Sequence, residues 1–320
     1  MDRRFLKYSL FRRAIRFSKQ IYLPGLKGLS IYRFFEIYIT GILRGAFSER
    51  AGSIAFSFFM AMFPFILFIL NLLPLVPISG FQDNFLNFIS ENVPPNTFGA
   101  IQDIIKDILN NSHGSLISSG FFLSILLMAN GVNAILGGFQ SSYHISRLSS
   151  NRSYFRQYFI SIILSLVISF ILINAVVAIV VTEYFVDRFS YTIPIDKLYV
   201  IQGIRYLVLF FLILIVNSLL LKFGTKHTKY LPFFNAGSIF TTLLMVLGSY
   251  FFGIYVTKFA RYNELYGSIG TILVLMIYIW IICIIILLGF EINASINSYN
   301  ISKNNNKLDS IKNKQIKTKP

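Results

Sequence analysis

The sequence is poor in nearly everything from which an enzyme centre is built. Its 320 residues include one cysteine, three histidines and thirteen acidic side chains. The lone Cys283 can form no internal disulfide, so cysteine usage says nothing about redox compartment. His113, His144 and His227 are scattered, without the close His or Cys spacing that holds a metal. No phosphate-binding loop of the GxxxxGK[ST] kind occurs. Gly267-Ser268-Ile269-Gly270 is not a nucleophile elbow, and it opens an apolar run instead of following a strand. Asp103 and Asp107 lie on a helix-periodic stretch, where solvation is the ordinary state of a carboxylate. These absences argue against an enzyme, and neither cofactor nor metal is expected.

Charge is scarce as well. Charged residues make up 13% of the chain, against about 25% in a soluble domain. No segment outside the apolar runs is long enough for a soluble domain. Residues 1–24 are basic and aromatic, with no short apolar stretch leading to a small-residue cleavage site, so no removable signal peptide is expected.

What the chain has is hydrophobic length: 55% of it is hydrophobic and its mean hydropathy is +0.66. The clearest run lies between Glu264 and Glu291, where 26 consecutive residues, Leu265 to Phe290, carry no charge. That exceeds the ~20 residues needed to cross a bilayer core. Five further spans are expected. The first is uncharged from Ala51 to Gln82, with Pro64 near its middle, where a kink is predicted. The second runs from about Leu116 to Phe139, and the third from Gln157 to Thr182. The fourth ends at Lys222 and the fifth starts after Pro232.

The expected fold is therefore all-α: a polytopic membrane protein with a bundle of six transmembrane helices over residues 51–296. A basic cytosolic segment, 1–50, precedes it, and a disordered basic tail, 297–320, follows. Between Leu29 and Leu43 apolar residues recur every three or four positions, which predicts an amphipathic helix in the membrane interface. Residues 78–114 form the longest loop, with helical spacing from Phe98 to Leu109.

Net charge is +16, and 23 of the 29 basic residues fall before Ala51, in 147–156, in 222–229 or after Asn297. With six spans, that asymmetry places both termini in the cytosol. It also predicts attraction to anionic lipids of the cytosolic leaflet. Nucleic acid is not an expected partner, because the aromatics sit in the apolar spans and not among the basic residues.

A few polar residues interrupt the spans. Asn130, Asn133, Gly137, Gln140, His144 and Arg147 repeat at intervals of three and four, along one helical face. Such a stripe must face protein or water, either as interhelical hydrogen bonds or as part of a pathway. Only 16 uncharged residues separate Arg205 from Lys222, so Arg205 either snorkels outward or serves as a functional cation. Glu291, with Asn293 beside it, stands at the end of the sixth span, where an ion pair with Arg50 or Arg44 and a proton or cation site are the two options.

Several of these residues carry a resemblance. Tyr262-Asn263, Tyr266-Gly267-Ser268-x-Gly270, Trp280 and Leu287-Leu288-Gly289-x-Glu291-x-Asn293-Ala294 resemble the signature of the YihY/BrkB family of bacterial inner-membrane proteins. Arg50-Ala51, Ala55 and Phe63-Pro64 resemble its first-span motif, and Leu23-Pro24-Gly25 precedes them. Phe290 stands where that family often has alanine, and Ile281 where an aromatic is common. The resemblance implies a six-span inner-membrane protein. Members have been described as virulence or serum-resistance factors, as transporters and, formerly, as ribonuclease BN. The expected function is translocation of a solute or lipid of unknown identity, with a membrane scaffold or envelope-assembly role as the alternative.

Overall fold

The computed structural model describes residues 16–22, 30–72, 114–146, 152–189, 195–226, 228, 231–259 and 268–317, with scattered positions between 83 and 106. Helices form nearly all of it: α1 (Ile31–Arg44), α2 (Phe47–Leu72), α3 (Gly114–Gln140), α4 (Tyr143–Ser146), α5 (Tyr154–Phe189), α6 (Ile195–Phe223), α7 (Ala236–Phe259) and α8 (Ser268–Lys317). No strand occurs among the described residues. Among the described residues, four stretches are long and apolar enough to cross a membrane: Tyr154–Ile179, Gly203–Phe223, Ala236–Val256 and Ile272–Ile301; Ile125–Gln140 is a shorter apolar helix. A backbone in hydrocarbon must satisfy its own hydrogen bonds, and helices do so within one segment.

The bundle packs α2 against α3, α3 against α5, α5 against α6, α6 against α7 and α7 against α8, with α8 closing back onto α2. Its core centres on Phe139 and Phe290, both wholly buried and stacked with ring centroids 4.1 Å apart and planes 6° from parallel. This stack accounts for the phenylalanine at 290: its ring fills the space over Phe139. Gly224 is required beside it, since a Cβ there would stand 2.4 Å from the Phe139 ring. Large apolar side chains also face outward, such as Phe170 on α5, Leu207 on α6 and Phe251 on α7, a surface suited to lipid.

Three features differ from the sequence reading or refine it. The helix α8 continues through Lys317, over much of the 297–320 segment whose composition predicts disorder. Extending an already nucleated helix fixes one residue per hydrogen bond, so weak helix formers can follow a packed segment. Helix α2 continues through Pro64 and is described as far as Leu72; Pro74 and Pro77 lie outside the described residues. Helix α6 starts at Ile195, so Arg205 lies inside a helix longer than the apolar window. Gln102, Asp103 and Lys106 are helical, but the rest of the helix predicted in the 78–114 loop lies outside the described residues.

Candidate functional site

Arg50 and Glu291 form the centre of the best-defined polar site. Helix α1 is capped by Ser30, whose Oγ accepts from the Arg33 N–H at 3.3 Å, and it ends at Gly45. Ala46 then turns the chain with a φ of 45°, and α2 starts at Phe47. This tight reversal sets Arg50 one turn inside α2, pointing into the bundle. Its Nη1 donates to Glu291 Oε1 at 3.0 Å and to the Gly45 carbonyl at 3.1 Å, while Nε donates to the Gly138 carbonyl at 2.9 Å. Gly45 and Gly138 lie at the C-terminal ends of α1 and α3, where carbonyls lack intrahelical donors and the helix dipole favours a cation. One guanidinium thus caps two helices and neutralises the carboxylate of a third.

Glu291 is completely buried and Arg50 is 7% exposed. The second carboxylate oxygen, Oε2, accepts from Ser142 Oγ at 2.9 Å, in the link between α3 and α4. Helix α1 lies over the pair. A Cβ at Gly41 would meet His144 Nε2 at 2.8 Å and Glu291 Oε2 at 2.9 Å, so only glycine lets α1 approach this closely. His144 Nε2 donates to the Ile37 carbonyl at 3.0 Å, and the Tyr38 hydroxyl donates to the Leu288 carbonyl at 3.4 Å. Burial, followed by the nearby Glu291 charge, pushes the Tyr38 pKa up to about 12. Arg44 does not take Glu291; its Nη1 donates to the Tyr143 hydroxyl at 3.0 Å.

Two turns of α8 bind in opposite directions. Gly289 and Asn293 face α7, while Glu291 between them faces Arg50. A Cβ on Gly289 would fall 1.7 Å from Thr241 Oγ1, and one on Gly237 would fall 2.3 Å from the Gly289 carbonyl oxygen. Glycine on both helices brings the backbones together, as in close helix pairs within membranes. Asn293 enters at the start of α7: its Oδ1 accepts from Gly237 N–H at 3.0 Å and its Nδ2 donates to Asn235 Oδ1 at 2.6 Å. Asn235 itself caps α7, accepting from Ser238 N–H at 2.9 Å.

A third polar cluster gathers around Gln157 on α5. Its Nε2 donates to Asn133 Oδ1 at 2.8 Å, and its Oε1 accepts from Gln140 Nε2. Ser161 Oγ stands 3.5 Å from the same Asn133 oxygen. Asn133 and Gln140 are thereby joined to one another through a residue on the neighbouring helix. Asn130 is not part of the cluster; it is exposed on the bundle surface. The stripe is thus divided: Asn130 is outside, Asn133 and Gln140 bond to Gln157 of α5, and His144 lies beneath α1.

Arg205 lies apart from all three clusters, half-buried, with its guanidinium over the Tyr206 ring at 5.3 Å and beside a 200 Å³ cleft that includes Ala178 and Thr182. Pro64 is within α2. Ser268 opens α8 and Gly270 is buried two residues along, whereas Tyr262, Asn263, Tyr266 and Gly267 lie outside the described residues. Sequence reasoning missed Ser142, Asn235, Gly237 and the bridging role of Gln157. Asn235-x-x-Ser238 could have been read as a helix start, but no local signal marks the others.

Residues 39–312 match the family described as virulence factor BrkB. The chain belongs to that family. The BrkB match spans Arg50, Gly289, Glu291 and Asn293 alike. Similar proteins include the putative ribonuclease-like protein YfkH of Bacillus subtilis, 31% identical over 248 residues, covering 77% of this chain and 88% of the relative. A UPF0761 membrane protein of Coxiella burnetii is 26% identical over 272 residues, covering 82% of this chain and 94% of its own length. A UPF0761 membrane protein of Pseudoalteromonas translucida is 24% identical, covering 82% and 86% respectively. No solved structure matches the chain. This is a membrane protein of the BrkB family with several membrane-length helices.

Proposed function

We propose that this BrkB-family protein spans the bacterial inner membrane six times, with both termini in the cytosol, and moves a lipid or other amphiphilic solute across or within that membrane. The observation that carries the reading is a cavity of about 760 Å³ between α2, α6, α7 and α8, lined by residues such as Phe58, Phe210, Met245, Tyr278 and Ile282. Its walls are almost wholly apolar, with Ser249 Oγ and the Tyr278 hydroxyl hydrogen-bonded to each other at 2.8 Å. An acyl chain suits such walls better than a polar solute does. The amides at Asn133 and Gln140 favour the same reading, since Gln157 engages both and neither lines this cavity.

Helices α2 and α3 supply two passes beside the four membrane-length windows, and the basic residues near 147–156 and 222–229 favour the stated orientation. The test is lipid movement in vesicles of bacterial phospholipid carrying a trace of headgroup-labelled lipid, with an impermeant quencher added outside. Protein-containing vesicles should lose the protected signal faster than protein-free ones, and Val246→Trp, which fills the cavity, should slow the loss. Equal rates with and without protein would sink the reading.

A scaffold role is the second reading, favoured by the exposed apolar row Phe35, Ile39 and Leu43 on α1 and by the extension of α8 to Lys317. Removing residues 297–320 should then abolish function while the bundle stays folded. Ribonuclease activity, suggested by the name of the Bacillus relative, is not part of the proposal; RNA cleavage by purified protein that Glu291→Gln abolishes would overturn that exclusion.

A further inference from the structure

A second cleft, of about 660 Å³, opens between α5 and α6 at the end of the bundle that holds the Arg50–Glu291 pair. Its mouth and its depth differ in chemistry. Arg152, Arg156 and Lys226 stand at the mouth, and Ile163, Val167 and Leu219 line the interior. Among the described residues, no carboxylate lines it. From Arg156 to Val167 the wall of α5 descends about 16 Å at the helical rise. The cleft is therefore cationic at one end and apolar along its length, and that end is the one expected at the membrane surface.

Arg152 is held in place. Its Nη1 donates to the Phe223 carbonyl at 2.7 Å, at the C-terminal end of α6, so the guanidinium bridges the two helices that form the walls. This is the one hydrogen bond that the group makes among the described residues. Burial, and then the neighbouring Arg156 charge, lower the Arg152 pKa from its ordinary value, as befits a cation beside another cation. Helix α5 begins at Tyr154, next to the mouth, and its first backbone N–H groups add partial positive charge there. A surface that needs only to satisfy the positive-inside pattern has no reason to place its cations over an apolar trench.

We propose that this cleft is a binding site for an anionic phospholipid, with the phosphate headgroup held by Arg152, Arg156 and Lys226 and one acyl chain lying along Ile163 and Val167. The phosphate of the headgroup complements the cations of the mouth, and the acyl chain supplies the apolar occupant that the trench fits. Binding here does not require that the protein translocate lipid, so failure of the transport reading leaves this site untouched, and the reverse also holds.

Native mass spectrometry of the full-length protein in detergent tests the proposal, with phosphatidylglycerol and phosphatidylethanolamine added in equal amounts. The wild type should retain one phosphatidylglycerol in preference to phosphatidylethanolamine. Arg156→Gln and Lys226→Gln, both at exposed positions, should each weaken that preference roughly fivefold. Ile163→Trp should reduce retention by filling the trench while the charges stay. Unchanged melting temperatures would show that each variant is folded, and Arg156→Lys should restore retention if a variant proves unstable. Equal retention of the two lipids by the wild type would overturn the proposal, as would retention indifferent to all three substitutions. Displacement of the lipid by millimolar inorganic phosphate, with Ile163→Trp silent, would also overturn it, leaving an anion site without an acyl groove.

Discussion

Arg50 donates to Glu291 across 241 residues of sequence at 3.0 Å, and both side chains are buried. The pair joins the start of α2 to the middle of α8 and, through the Gly45 and Gly138 carbonyls, to the ends of α1 and α3. Removing one partner strands a charge that the bundle cannot solvate. Glu291→Ala and Arg50→Ala should each cost about 3–5 kcal/mol, read as a fall in folded yield and in melting temperature in detergent. The double variant Arg50→Met, Glu291→Leu should recover part of that loss. A double variant no more stable than either single one would show that the fold depends on the helix-capping bonds more than on the charge pair.

Gly289→Ala places a methyl group against Thr241 Oγ1, where there is no room for it. The expected loss is about 1–3 kcal/mol, as for overpacking in a tight core. Thr241→Ala should relieve part of it, because the hydroxyl is the nearest obstruction and the Gly237 carbonyl, at 2.9 Å, is the next. Thermal melting of the single and double variants checks this. Full tolerance of Gly289→Ala would mean that α7 and α8 cross less closely than described.

Asn293→Leu should fray the first turn of α7, because Gly237 N–H loses its partner and Asn235 Oδ1 keeps only the Ser238 N–H of its two donors. The expected cost is about 1–2 kcal/mol, the range of a lost helix cap. Hydrogen exchange should rise at residues 236–240 and remain unchanged in α5. Asn293→Asp keeps the acceptor for Gly237 but sets a carboxylate against Asn235 Oδ1, so it should protect α7 only in part.

Gln157→Leu should destabilise the bundle more than Asn130→Leu. The first leaves Asn133 and Gln140 without their shared partner, at about 0.6 kcal/mol for each interhelical bond; the second changes an exposed side chain. Unfolding titrations of the two variants in mixed micelles give the comparison. An Asn130→Leu variant that loses lipid movement while keeping wild-type stability would instead return Asn130 to a pathway.

Tyr38 sets an alkaline limit on the seat of α1. Its folded pKa is about 12 against an ordinary 10.0, so the folded state holds the phenolic proton more tightly than the unfolded one. Stability is therefore independent of this group below pH 10 and falls as pH rises from about 10 to about 12. The difference between wild-type and Tyr38→Phe melting temperatures isolates this group from the other tyrosines. The curves should run parallel below pH 10 and converge or cross above it, and parallel curves throughout would remove Tyr38 from the account.

Much of the candidate site was visible in the sequence as residue types and positions, but not as partnerships. Glu291 stood out as a carboxylate at the end of a long apolar run, with Arg50 and Arg44 as equal choices for its cation. The fold selected Arg50, because the Gly45–Ala46 reversal turns it inward while Arg44 reaches Tyr143. Asn130, Asn133 and Gln140 share α3, yet a face several residues wide can meet lipid at one edge and a neighbouring helix at the other; α3 ends at Gln140, His144 stands on α4, and Arg147 lies outside the described residues. Phe290 departs from the family pattern, and its partner, Phe139, is fixed only by the packing of α3 against α8.

The sequence by itself determined that the chain is helical, that several helices are long enough to cross a membrane, and that it belongs with the BrkB family. These properties reside in the length, composition and local order of single segments, and a bilayer imposes them on each segment separately. Only the tertiary structure decided which polar groups meet: Arg50 with Glu291, Gln157 with Asn133, Asn293 with the start of α7. Those pairings depend on how far each helix is rotated about its axis and how closely its neighbour approaches. Contacts such as Gly237 against Gly289 fix both, and they form only when segments distant in the chain pack together.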